Sequence, residues 1–204
     1  MTTAVNDVMP TVVDDPSGRI RTPVALVRIR PATTGYNSLM TTQTALVPTP
    51  LGAFRAVVED GVVRQATFDL GAPGESRRDA WGVHDSLAAY FAGDVDALED
   101  INADAPAGTD FQRAVWKGLR EIRAGETMSY GDLAARVGVP GAARAVGMAN
   151  ASNPIALIVP CHRVIRAGGA IGGYGFGPET KRWLLDHERS ASGGSLTRFV
   201  ATTA

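Results

Sequence analysis

Apolar positions along the chain change their period once, from β-type runs to helical spacing. Phe54 to Glu59 and Val62 to Asp69 are two β-rich runs separated by Asp60-Gly61. Asp-Gly between such runs predicts a hairpin, because both residues tolerate the positive φ of a tight turn. The period then becomes helical. His84 to Phe91 reads as a short amphipathic helix, with Gly93 as its stop. Beyond residue 108 helical spacing dominates. Thr109 and Gln112 form a T-x-x-Q capping box. Phe111, Val115, Trp116, Leu119 and Ile122 follow on one helix face and are expected in the core. Ser129 and Asp132 open a second helix, which runs through Leu133 and Ala134 and stops at Gly138. Val139-Pro140-Gly141 makes a turn, and a third helix covers Ala142 to Ala149.

This pattern predicts an α+β fold. A small N-terminal domain of β-sheet and helix would occupy residues 43–105, and a mostly helical C-terminal domain residues 106–189. Residues 1–42 are rich in Thr, Pro, Val and Arg without sustained period and are expected to be a disordered extension, within which Met40 offers an alternative start. Residues 190–204 are expected to form a flexible tail.

Two short helices joined by a three- or four-residue turn containing glycine predict a helix-turn-helix in the C-terminal domain. Its second helix is almost bare, with Ala and Gly at most positions and Arg144 as its one long polar side chain. A helix that reads base edges carries several. Two readings stand: close approach to a nucleic-acid backbone with Arg144 projecting, or tight packing against a neighbouring helix.

Charge sharpens the division. The chain has 204 residues and a net charge of −1, but residues 51–108 hold 4 Lys/Arg against 11 Asp/Glu, whereas residues 109–189 hold 11 against 7. A basic second half suits a polyanion; two solvated surfaces of opposite sign would give the same numbers. One cysteine excludes an internal disulfide framework and a cysteine-rich zinc site, and a lone thiol suits a reducing cytoplasm. There is neither an apolar run approaching membrane-span length nor an apolar signal core. A cytoplasmic protein without membrane contact is expected.

The chemistry concentrates in Asn153-Pro154-Ile155-Ala156-Leu157-Ile158-Val159-Pro160-Cys161-His162-Arg163-Val164-Ile165. An apolar run ends at a proline, and a thiol and an imidazole follow together. A thiolate is the nucleophilic form of cysteine, and histidine or arginine beside it lowers its pKa. The order Pro-Cys-His-Arg therefore predicts an electropositive, reactive Cys161 rather than a cysteine that merely fills space. Arg163 either pairs with an acid inside the fold or contacts a phosphate. His84 and His187 are assigned packing, surface or capping roles.

The string from Pro160 to Ile165 resembles the active-site signature of the O6-alkylguanine-DNA alkyltransferases, the methylated-DNA–protein-cysteine methyltransferases. The resemblance covers roughly Thr109 to Glu188 and includes Arg144-Ala145-Val146-Gly147, Asn153-Pro154, Gly172-Gly173-Tyr174 and Trp183-Leu184-Leu185. It implies repair of double-stranded DNA carrying alkylated guanine, by one irreversible transfer of the alkyl group to Cys161 and without a cofactor or metal. It also implies roles. His162 would act through water as the base and Glu188 would orient it. Asn153 would shape the turn before the thiol. Tyr130 would approach the base and a phosphate and assist protonation of the leaving guanine. Arg144 would replace the flipped nucleotide, with Ala143 and Gly147 beside it at the DNA. Val164, Tyr174 and Gly175 would line the base pocket, with backbone groups of Cys161 and Val164 reading the guanine amino group. A monomer is expected, with clustering along DNA left open, as is repair of O4-alkylthymine. Gly175 stands where some relatives carry a serine that bonds the O6 atom, so a backbone N–H is expected to serve instead. Three other readings compete: a non-catalytic binder of alkylated DNA, an unrelated cysteine hydrolase and a helix-turn-helix regulator with a structural cysteine.

Overall fold

The computed structural model describes residues 41–70, 76–105 and 107–192. The expected extension over residues 1–42 lies outside these except for its last two residues, as does the tail beyond residue 192. The chain opens with three antiparallel strands in sequential order, β1 (Thr42–Thr49), β2 (Gly52–Glu59) and β3 (Val62–Asp69). Asp60 and Gly61 have φ of 47° and 82°, so the β2–β3 turn forms as its dipeptide predicts. β1 is not legible by period. It carries Pro48 and only two fully buried positions, Ala45 and Val47, which suits the edge strand it is.

The opposite edge, β3, is covered by loops. Val63 bonds to the 102–104 segment. Ala66 bonds to Pro154 and Ala156, with Ala66 N donating to Pro154 O at 2.9 Å and Ala156 N to Ala66 O at 3.0 Å. The sheet thus holds the segment that leads to Cys161, and the strand gains partners for groups that would otherwise invite aggregation.

Five helices follow: α1 (Val83–Phe91), α2 (Asp110–Arg120), α3 (Tyr130–Arg136), α4 (Ala143–Ala151) and α5 (Pro178–Ala191). Asp79 caps α1, accepting from the backbone N–H groups of Trp81, Val83 and His84. Both bonds of the Thr109–Gln112 capping box are made. Ser129 Oγ accepts from Asp132 N at 3.1 Å at the start of α3. Six residues, 137–142, separate α3 from α4, a longer turn than the sequence suggests. α5 continues through Ser190 and Ala191, which the sequence assigns to the tail.

Of the expected core face of α2, Val115, Trp116, Leu119 and Ile122 are buried and Phe111 is partly so. Trp116 Nε1 donates to Ala149 O at 2.8 Å and ties α2 to α4. Gly118 lets α3 come close, since a Cβ there would lie 2.8 Å from Val137 Cγ1. A two-stranded parallel ladder, β4 (Met128–Ser129) with β5 (Val164–Ile165), brings the start of α3 beside the segment just after Cys161. The described residues share one hydrophobic core, which runs from Phe54 and Phe68 of the sheet to Leu133, Val146 and Leu184 of the helices.

Candidate functional site

The backbone that presents Cys161 is wound unusually tightly. Ile158 N donates to Ala156 O at 2.8 Å across Leu157, whose φ is 69°, and Cys161 N donates to Val159 O at 2.8 Å across Pro160. These are two γ-turns in succession, and the first holds a buried leucine in the left-handed region, where a side chain is strained. Asn153 braces the segment. Its Nδ2 donates to Val159 O at 2.8 Å and its Oδ1 accepts from Ile155 N at 3.0 Å. Cys161, His162 and Arg163 then form one 3₁₀ turn.

Cys161 is 5% exposed. Burial pushes its thiol above the ordinary value, although the Asn153 amide, the Lys181 ammonium and the Tyr174 hydroxyl act in the opposite sense. Burial thus outweighs the electropositive contribution expected from the sequence, and that contribution comes from Lys181 rather than from Arg163. The cation that follows two residues later is turned away: Arg163 donates to both oxygens of Glu188 and to Ile122 O. Of the two partners open to Arg163, the internal acid is the one found.

Behind the thiol lies a buried charge cluster. Glu188 Oε1 meets His162 Nε2 at 2.9 Å, Arg163 Nη2 at 2.8 Å and the Tyr90 hydroxyl at 2.8 Å. Gly125 N donates to Oε2 at 3.3 Å. Burial alone would raise this carboxyl; the His162 ring and the Arg163 guanidinium overcome it and hold Glu188 far below the usual range. The carboxylate is then an acceptor only, so His162 must carry its proton on Nε2. Burial, partly opposed by Glu188, lowers His162 from its ordinary value and favours the neutral ring. A neutral ring protonated on Nε2 bears its lone pair on Nδ1. Nδ1 has no protein partner among the described residues.

In front of the thiol is a cavity of about 410 Å³. Its lining includes Tyr130, Gly147, Asn153, Cys161, Tyr174 and Gly175, all expected at the site, together with Asn150 and Phe176, which were not. Arg144 and Ala143 border a second, more open concavity of about 360 Å³ that also contains Tyr130 and Gly147. His162, Glu188 and Val164 do not line the first cavity. His162 and Glu188 support it from behind, and Val164 is buried beside it. Tyr130 is the first residue of α3, packed close to Gly147 of α4, and burial followed by the nearby Cys161 raises its phenol. Tyr174 Oη is buried beside Cys161 without a well-formed hydrogen bond, and burial first, then Cys161, raises it well above the ordinary value.

Lys181 was not legible as a site residue. It has no exposed surface, and Nζ donates to Val164 O at 2.6 Å and to Gly173 O at 3.4 Å. Burial lowers its pKa to about 8, against a smaller upward pull from Cys161. Asn150 was missed as well; its Nδ2 donates to Cys161 O at 3.3 Å. Tyr90 is 98 residues from Glu188 in sequence, and no local signal announces their contact. His187 stacks on Trp183 and bonds Tyr90 O at the end of α1.

The remaining histidine, His84, lies between Ser76 Oγ at 2.8 Å and Asp85 Oδ1 at 2.9 Å. The order is that of a hydrolytic triad, but Asp85 is largely exposed and both its oxygens accept from Arg78. An orienting acid so placed is screened and already engaged. Among the described residues no cluster of three or more His, Cys, Asp or Glu could hold a metal ion, and no helix is long and apolar enough to cross a membrane.

Residues 110–190 match the family described as 6-O-methylguanine DNA methyltransferase, DNA binding domain. The chain is 55% identical over 118 residues to the methylated-DNA–protein-cysteine methyltransferase of Mycobacterium tuberculosis, over 58% of this chain and 70% of the relative. It is 45% identical over 160 residues to that of Mycolicibacterium paratuberculosis, over 75% and 96%. Its structure is similar to Mycobacterium tuberculosis OGT in complex with DNA, with a TM-score of 0.62 and 41% identity over 72% of this chain and 93% of that one. It is also similar to Mycobacterium tuberculosis O6-methylguanine methyltransferase, with a TM-score of 0.64 and 42% identity over 77% and 98%. The chain belongs to the methylated-DNA–protein-cysteine methyltransferase family.

Proposed function

We propose that this protein repairs double-stranded DNA by moving a methyl or other alkyl group from O6 of guanine to Cys161, once per molecule. The observation that carries the reading is the buried His162–Glu188 pair, 2.9 Å apart, behind a thiol that lines a cavity of about 410 Å³. The Cys161 proton passes through a water to His162 Nδ1, whose lone pair faces away from Glu188. Sγ then bonds to the alkyl carbon as the carbon–O6 bond breaks. The electron pair stays with guanine, which takes a proton from Tyr130 Oη; the phenol is later reprotonated from solvent. The raised Tyr130 pKa keeps that proton in place until guanine becomes the stronger base. The product is a thioether, which water does not cleave, so the protein is consumed.

A thiol this buried reaches its target only if the nucleotide leaves the stack. Flipping costs a few kcal/mol, less at a poorly paired base. Arg144, exposed on α4, fills the space left behind, and Ala143 and Gly147 allow the duplex close. The two helices act as a helix-turn-helix docked in the minor groove. Asn153 fixes the Cys161 turn. Tyr174, Gly175 and Val164 hold the base, with Gly175 N–H toward O6. Residues 43–105 act as the supporting domain and 106–189 as the DNA-binding and transfer domain; every member of the relay lies in one chain, which suits a monomer.

The test is stoichiometry on a duplex bearing one O6-methylguanine. Demethylation that stops at one lesion per chain, and is absent in Cys161→Ala, is expected. Continued turnover would point to a hydrolase. Tight lesion binding without demethylation would point to a non-catalytic binder.

A further inference from the structure

One charged side chain at the mouth of the site has no part in this scheme. Arg166 follows β5 directly, is exposed, and lines the same open concavity as Arg144 and Tyr130. Its backbone is fixed at the root of a tight loop: Arg166 N donates to Ala170 O at 2.8 Å, and Arg166 O accepts from Gly169 N at 3.1 Å. Its stem lies across Gly172, where a Cβ would be 3.4 Å from Arg166 Cγ. The side chain is therefore placed by the fold.

Its electrostatic setting differs from that of most arginines in the same half. Arg113, Arg136, Arg163, Arg182 and Arg189 of the same half all pair with carboxylates. Among the described residues no carboxylate lies within ion-pair distance of Arg144 or Arg166, and Arg166 acts on the nearby Lys181 ammonium and Tyr130 phenol. Two guanidiniums from different elements thus border one concavity with no acid between them. Such a field attracts an anion and is relieved by one.

We infer that Arg166 is a second DNA-binding arginine, which grips a backbone phosphate beside the nucleotide entering the Cys161 cavity, from the loop side across from Arg144. A guanidinium suits this because it can present two N–H groups to one phosphate. The inference rests on the DNA-repair reading for the identity of the polyanion, but its test does not need the chemistry.

The experiment measures binding of an undamaged duplex, and of the same duplex with one O6-methylguanine, across a series of salt concentrations. It compares the full chain with Arg166→Gln and Arg166→Lys, with melting temperatures checked to be equal. Loss of one phosphate contact reduces the slope of log K against log salt by about 0.9. Arg166→Gln is expected to show this change on both duplexes and to bind about tenfold more weakly. Arg166→Lys should keep the slope and lose part of the affinity. A wild-type slope in Arg166→Gln overturns the inference. Failure of wild-type protein to demethylate the lesion would instead count against the repair reading and leave the slope comparison intact.

Discussion

Glu188 serves His162 and Arg163, besides Tyr90 and Gly125, with one carboxylate. It sets the tautomer of His162 and also neutralises Arg163, which is nearly as buried as itself. Removing one partner of a buried ion pair strands the other, at about 3–5 kcal/mol. Glu188→Gln is therefore expected to lower unfolding stability by about that much in denaturant titration, beyond any effect on transfer. A stability change near zero would mean that Arg163 finds another partner. The same carboxylate shows where sequence reasoning reached and where it stopped. Pro-Cys-His-Arg order and family resemblance pointed to Cys161, His162 and Glu188. Adjacency wrongly implied that Arg163 would lower the thiol pKa, because a tight 3₁₀ turn sends consecutive side chains in different directions. Lys181 escaped notice because a lysine on an amphipathic helix reads as a solvated charge, and only the tertiary fold buries it.

At the scale of elements, the two γ-turns and the α4 face do most to shape the site. Asn153 supplies the bonds that offset strain at Leu157, so Asn153→Ala should both destabilise the fold and slow transfer. The prediction fails if single-turnover rates on duplex DNA are unchanged. Arg144 belongs to a different element with a different task. Arg144→Ala is expected to slow transfer from duplex DNA much more than from free alkylguanine base; equal loss on the two substrates would remove its role in holding a flipped duplex. Elements with strong local grammar were readable: the Asp60-Gly61 hairpin, the Thr109 capping box and the Ser129 cap. β1, β4 and β5 were not. β1 is an edge strand interrupted by proline, and the other two are two-residue pairings between distant segments, whose formation depends on the fold rather than on local pattern.

For the whole molecule, the N-terminal half, sheet and α1 together, has a clearer purpose than its sequence suggests. The sequence offered no chemistry there, yet β3 holds the Pro154–Ala156 segment, Phe68 packs on Phe176 of the cavity, and Tyr90 donates to Glu188. An acid-sensitive fold is expected from the charge cluster these parts enclose. Folding depresses His162 below its ordinary 6.5, so below that pH the unfolded chain takes up a proton that the folded chain refuses. Folding also depresses Glu188 below 4.5, so its contribution is present above that value and lost as pH falls further. Both effects have the same sign. Unfolding free energy should decline as pH drops below about 6.5 and more steeply below about 4.5; a His162→Asn variant should lose the first part of that decline. A flat profile between pH 7 and 5 would contradict a buried neutral imidazole.

The central claim is that Cys161 itself keeps the alkyl group. Intact mass of the purified chain, before and after incubation with a duplex carrying one O6-methylguanine, tests it most directly, with Cys161→Ala as control and peptide mapping to locate the change. The account predicts a gain of one methyl group per chain, on the peptide containing Cys161 and absent in the control. An unchanged mass while the lesion is nonetheless repaired, or a methyl group on any other residue, would contradict it.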